Sequence, residues 1–417
     1  MTQETRPSMD GVELVMLAGA WLAPFSFFVD LPVIGLYVRL LHLWTFVALL
    51  VLLATHRDSL VAAINVPVVA FWTMLTFVVL STLLATPTEY RGRGLVDIRV
   101  LFLNVLAFTL MRGYYTGRPH AWTRFIVNLA ASSALMGIVL TARAIATGNT
   151  GQAVGFDSFA LGLGTVAGTF TATFAAAAAA VTVFAITRRQ LAAGLIAFVI
   201  QGDAMVLALA RGPWIAFGVA IITALPLAAW RFRGRFTIAR VAARGLGTLL
   251  ALPVFFRIAI ELSPFIARLL VVRVVEIVNI TSGTAFSRLI LWKLLLNDAW
   301  RSPVFGHGAA AYRDISERLG IQGSVSENFI VEMLHAGGLV TLVFLAVGLL
   351  GVAYHCLMQP GAERRPTFTA ACVTGGTALV IASMTNPAAW DGLFWILLGL
   401  AATRPVTGGA AAPSTAG

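Results

Sequence analysis

The sequence is poor in charge, nearly devoid of lysine and almost without cysteine. Only 11% of its 417 residues are Asp, Glu, Lys or Arg, against roughly 25% in an ordinary soluble domain, which excludes a solvated globular protein of the usual kind. The net charge is +11, yet Lys293 is the one lysine, so every other cation is an arginine. Two cysteines, Cys356 and Cys372, exclude a disulfide framework. The chain has no CxxC pair, no HExxH, no DxD-like carboxylate pair on a loop and no phosphate-cradling P-loop. Its spacing therefore supports neither a metal nor a nucleotide site, no cofactor is expected, and nucleic acid is not an expected partner. Period-two alternation is missing too, which excludes an outer-membrane barrel.

What is present is 59% hydrophobic residues, laid out in blocks of about 20, the length a helix needs to cross ~30 Å of hydrocarbon at ~1.5 Å per residue. These blocks predict an all-α polytopic transmembrane bundle of about twelve spans. They lie near 12–29, 32–54, 61–85, 98–112, 125–146, 158–186, 191–210, 213–230, 245–262, 326–357, 368–385 and 391–403. The first is read as a retained helix, because it lacks a basic n-region and a small-residue cleavage site. Arg57, then Arg112, Arg118 and Arg124, then Arg188 and Arg189, then Arg231, Arg233, Arg235, Arg240 and Arg244, and then Arg364 and Arg365 all fall in loops on one side. The opposite short loops hold little beyond Arg91 and Arg93. The positive-inside rule makes the first side cytoplasmic, in an inner membrane.

The expected organisation is then nine helices in 1–262, an extracytoplasmic loop over 263–325 and three helices in 326–417. Residues 264–278 and 285–300 are too short and too charged to span, and read as amphipathic helices at the interface. The second must stop near Ser302-Pro303, because proline disfavours helix at the residue before it. The loop carries Arg268, Arg273, Arg288, Lys293, Arg301, Arg313 and Arg318 on the face where few cations are expected.

Three features of that face point to chemistry. Arg211, in LALARGPWIAF, sits at a tight turn between two spans; by itself it is equally an interfacial snorkelling arginine. Arg288 and Trp292 are four apart and share a helix face, as catalytic groups or as an amphipathic helix against lipid headgroups. Glu327-Asn328 stands at the mouth of the tenth span, where a carboxylate also suits the helix dipole. Glu332 lies deeper, and its cost in hydrocarbon demands a polar interior, so it is a second candidate carboxylate. Together, two fork-shaped cations and a carboxylate meet the needs of transfer from a lipid diphosphate. The arginines hold the diphosphate, and the carboxylate takes a proton from an attacking hydroxyl.

These residues carry a family resemblance. Arg211-Gly212 ends a middle span; Ser287, Arg288 and Trp292 follow on a helix; Pro303, Gly306, Gly308 and Tyr312 form a Pro-x-x-Gly-x-Gly turn with an aromatic after it; Glu327-Asn328 opens a helix with Gly338 eleven residues on. Residues 200–345 so resemble the O-antigen ligase and polymerase superfamily of bacterial membrane glycosyltransferases. The resemblance implies about twelve helices, a large periplasmic loop, and a catalytic set of Arg211, Arg288 and Glu327. Asn328, Trp292, Tyr312, Arg91, Arg93, His307 and Glu332 are the expected substrate contacts. It also implies a polyprenyl-diphosphate-linked oligosaccharide as donor, a glycan or lipid A core as acceptor, and a chain-length regulator as a partner. Family ligases have histidine where this chain has Glu327, which tilts the expectation from ligase towards polymerase. His307, between two glycines, is more readily a structural residue than a base, and His335 a packed one. The rival from another class is a lipid-linked oligosaccharide flippase, which would need two comparable halves and a charged central path.

Overall fold

The computed structural model describes residues 10–28, 30–33, 36–147, 165–208, 210–262, 283–318, 328–358, 366–385 and 390–403, with Arg268, Val271 and Val275 singly. It is helical apart from one short hairpin. In chain order the elements are α1 (Gly11–Leu22, continued by a 3-10 turn, Ala23–Phe28), β1 (Asp30–Val33), β2 (Leu36–Arg39), α2 (Leu40–Thr55), α3 (Arg57–Ala62), α4 (Val66–Ala85), α5 (Thr88–Tyr115) and α6 (Pro119–Thr147). There follow α7 (Thr165–Val183), α8 (Arg188–Leu207), α9 (Arg211–Arg231), α10 (Ile238–Leu262), α11 (Gly283–Ala299), α12 (Tyr312–Arg318), α13 (Phe329–Met358), α14 (Pro366–Ser383) and α15 (Gly392–Ala401). Side chains fix several starts: Asp10 accepts from the Glu13 N–H, Asn65 from that of Val68, and Thr187 with Gln190 makes a capping box.

A helix stands at each of the expected spans, and among the described residues seven helices are long and apolar enough to cross a membrane, with four shorter apolar ones beside them. Three expectations change. The second span begins at Leu40, not near 32, because Asp30–Val33 and Leu36–Arg39 pair antiparallel, from Asp30↔Arg39 to Val33↔Leu36; Pro32 has no N–H to give a helix. The fourth begins at Thr88, not near 98, so Arg91, Arg93 and Asp97 lie on extra helical turns rather than in a loop. The last, α15, has only 10 residues, about 15 Å of helix and half a crossing. Apart from Arg268, Val271 and Val275, the helix expected over 264–278 lies outside the described residues.

Helix α13 runs antiparallel to α4, and α14 to α7, which sorts their ends. In α13, Gly348 meets the Phe71 ring and Gly351 meets Pro67 at the start of α4, while the far end of α4 meets residues 307–309. Likewise the Thr367 hydroxyl at the start of α14 donates to the Phe184 carbonyl just past the end of α7. One core gathers around Phe71, whose ring makes edge contacts with Phe108 and Trp395. A second joins α7, α8, α9 and α14, and there the mostly buried Ala175–Ala180 run lets helices close up, with a Cβ on Gly375 only 3.2 Å from that of Ala177.

The basic breaks meet at one end. Arg112 donates to the carbonyls of Ala63 and Ala402, Arg124 pairs with Glu13 at 2.8 Å, and Arg244 donates to the Val183 and Ala185 carbonyls closing α7. A cation there suits the helix's negative end. The motif residues lie at the other end.

Candidate active site

The Pro303–Gly308 turn is the keystone of the motif end. Helix α13 breaks at Gly338, where φ is 69° and ψ is −167°, a conformation essentially restricted to glycine. The turn docks into this break: His307 N–H donates to the His335 carbonyl at 2.8 Å, Gly308 N–H to that of Ala336 at 2.8 Å, and Leu339 N–H to that of Pro303 at 2.7 Å. The fit is backbone on backbone, since a Cβ on Gly306 would lie 2.6 Å from the Gly338 nitrogen. The far side of the turn is clamped to α4, where Thr86 donates to the His307 carbonyl and Thr82 accepts from the Ala309 N–H. The Pro-x-x-Gly-x-Gly motif and the glycine eleven residues after Glu327 are therefore two halves of one joint.

Around this joint, α11, α12 and the first turns of α13 share a small core of Leu291, Leu295, Tyr312 and Val331. Arg288, Leu291 and Leu295 follow the i, i+3, i+7 rule for one helix face, so Arg288 shares the inward face of α11. Its guanidinium donates to the Thr385 carbonyl past the end of α14 at 3.4 Å. Trp292 is half-buried on the same helix. Five residues beyond Thr385, the Trp390 indole N–H donates to Glu332, which is only 3% exposed. Asp391, 1% exposed, caps α15 and pairs with Arg39 at 2.9 Å. Because α15 is only half a crossing, it opens beside Asn104 inside the bundle, and these charges sit below the rim of the motif end. Tyr312 is buried; that burial, reinforced by the Glu332 charge, pushes its phenol above the usual range.

The other sequence candidates divide. Asn328 caps α13, its side-chain oxygen accepting from the N–H groups of Ile330 and Val331, both at 3.1 Å. Arg91 donates to the Thr86 carbonyl and Arg93 pairs with Glu317 at 3.0 Å, so both tie α5 to neighbouring segments at the rim. His307 is engaged with Asp298 at the joint. Arg211 is the first residue of α9, next to the start of α7, where a Cβ on Gly168 would lie 3.0 Å from Ala210. Since α7 and α14 are antiparallel, Arg211 stands at the end of the bundle where α14 finishes and Arg288 reaches Thr385. Glu327 lies outside the described residues, next to Asn328.

Residues 196–346 match the O-Antigen ligase family model. No curated protein matches the chain. Every motif element from Arg211 to Gly338 falls inside the ligase-family segment, so the resemblance read from the residues holds over the same stretch. The family is one of membrane glycosyltransferases of the O-antigen ligase and polymerase type. Outside the ligase-family segment, sequence reasoning passed over Trp390 and Asp391. Their signal was a lone carboxylate beside a tryptophan at the start of an apolar block, since an ionisable group inside a membrane helix is costly and usually functional.

Proposed function

We propose that this protein transfers a glycan from a polyprenyl-diphosphate carrier to a sugar hydroxyl at the periplasmic face of a bacterial inner membrane, and that it polymerises O-antigen or exopolysaccharide repeat units. The observation that carries the reading is the convergence of Arg288 and the buried Glu332 on one short stretch, through Thr385 and Trp390. Arg211 adds a second fork. An arginine in the first turn opposes the positive end of its own helix, and the diphosphate supplies the negative charge that makes the two compatible. Residues 263–325 are the periplasmic loop that brings Arg288 to this face.

In this reading Arg211 and Arg288 bind the diphosphate and neutralise charge as it leaves. Glu327 takes the proton of the attacking hydroxyl, which displaces the carrier at the anomeric carbon in one step and inverts it. Glu332, Tyr312 and Trp292 line the acceptor side, and Arg91 and Arg93 the rim. The donor is already activated, so no step is routed through a metal. The family description favours a second reading, ligation of the finished glycan to lipid A core.

Replacing Arg211, Arg288 and Glu327 in turn and resolving surface glycan by chain length tests this. Loss of a general base costs on the order of 10²–10⁴-fold in rate, so Glu327→Ala abolishes the ladder. Full activity in Glu327→Ala removes the base, and full activity in both arginine variants removes the diphosphate model. Accumulation of single repeats on the carrier marks a polymerase, and of finished polymer on the carrier a ligase.

A further inference from the structure

Beside the joint, Asp298 near the end of α11, His307 in the docked turn and His335 in the first segment of α13 bring three donor atoms together. His335 Nε2 is 3.1 Å and His307 Nε2 3.6 Å from Asp298 Oδ2, and all three atoms lie within 4.8 Å of one another. Two ligands on a tetrahedral zinc ion are about 3.3 Å apart when its bonds are ~2.0–2.1 Å, so the cluster has the spacing of a coordination sphere. The imidazoles stack at 5.0 Å and 27° with both Nε2 atoms towards the carboxylate.

The surroundings organise the donors as a metal site needs. Arg301 holds the other carboxylate oxygen, Oδ1, at 3.2 Å and leaves Oδ2 to the histidines. The His307 and Gly308 backbone bonds to the His335 and Ala336 carbonyls fix both histidine-bearing segments in place. The Asp298 carbonyl oxygen, 2.9 Å from His307 Nε2, is a fourth donor atom on the rim. Asp298 and His307 are 22% and 24% exposed at the side chain, which leaves an ion a way in, while His335 forms the floor at 2%.

We infer that Asp298, His307 and His335 bind a divalent transition-metal ion, with zinc the fitting choice for two imidazoles and a carboxylate, and that the ion locks the Pro303–Gly308 turn to the break in α13. Two neutral imidazole nitrogens and a carboxylate oxygen become ligands, and any protons on those atoms pass to solvent. The site takes His307 as a metal ligand in place of the substrate contact expected from the sequence; the ion touches none of Arg211, Arg288 and Glu332 and acts on the loop alone.

Full-length, tag-free protein in nanodiscs is stripped with chelator, then titrated with cobalt(II) while its visible ligand-field bands are followed, and zinc uptake is measured by mass spectrometry. The expected result is about one ion per chain, with cobalt binding weakened at least ~10-fold in Asp298→Asn and in His307→Gln. The asparagine variant retains an acceptor for His335 and so spares the hydrogen bond. The wild type carries a second test that needs no variant, because bound zinc shields His307 from acylation by diethyl pyrocarbonate. Substoichiometric cobalt in the wild type, unchanged cobalt binding in well-folded His307→Gln, or equal acylation of His307 with and without zinc overturns the site. Any of these leaves a hydrogen-bonded clamp. Glycan transfer is not read, so failure of the metal site and failure of the transfer reading are separate results.

Discussion

Replacing Gly338 with alanine tests whether the docked turn is what builds the motif end. The native φ of 69° and ψ of −167° are open only to glycine, and the new Cβ would lie 2.2 Å from the Val304 carbonyl oxygen and 2.4 Å from its carbon. Both neighbours are backbone and cannot rotate away. Backbone strain of about 1–3 kcal/mol adds to an overpacking cost of about 1–3 kcal/mol. Against this stand the three backbone hydrogen bonds that hold the turn, at about 1 kcal/mol each. The strain, about 2–6 kcal/mol together, matches or exceeds the ~3 kcal/mol of those bonds, so the expected outcome is release of the turn with the helix bundle intact. Arg301, 81% exposed at the side chain beside the turn, is the reporter: trypsin cuts there faster in membrane vesicles of Gly338→Ala, and the glycan ladder is lost. Gly376→Ala is the control, because nothing lies within 4 Å of its Cβ. Equal cleavage rates and an unchanged ladder in Gly338→Ala would refute the joint.

Three further outcomes follow from the geometry. Glu332→Leu strands the half-buried Trp390 indole N–H and costs about 1 kcal/mol in thermal unfolding, while Glu332→Gln keeps an acceptor and spares most of it; equal losses in the two would break the assigned bond. Arg93→Ala and Glu317→Ala remove an exposed pair and each shifts stability by about 0–1 kcal/mol, whereas loss of the glycan ladder in Arg93→Ala but not in Glu317→Ala is the mark of a substrate contact at the rim. Tyr312 is held neutral above the ordinary phenol value of 10.0. Its contribution is therefore complete below that pH and is lost as pH rises through the higher folded value. Tyr312→Phe removes that alkaline loss in unfolding measured from about pH 8 to about pH 11, and identical slopes in the two proteins would contradict the assignment.

Much of the fold was legible because hydrocarbon imposes a length on helices. Apolar blocks of about 20 residues locate the helices without knowledge of their neighbours. Misreadings came where that rule is indifferent. The hydropathy of residues 32–39 is apolar enough for a span, but Pro32 and a two-stranded pairing take the segment into a hairpin. At α5 the charged residues Arg91 and Arg93 point to a loop, yet outside a bilayer charges continue a helix without penalty. The site was legible in part. Arg288 and Glu332 stand out as charges among apolar residues, while Asp391, at the first position of the last block, does not.

By itself the sequence determined a multi-pass helical membrane protein, the likeness of the segment around Arg211, Arg288 and Gly338 to the O-antigen ligase family, and the gathering of arginines at one end. Each follows from local composition or from spacing along the chain. Only the tertiary structure decided that the Pro303–Gly308 turn closes on the break at Gly338, that Glu332 meets Trp390, and that Asp298, His307 and His335 share one cluster. His335 lies thirty-seven residues from Asp298. No periodicity carries information over that distance, and the meeting depends on how the docked turn and the end of α11 settle against the break in α13.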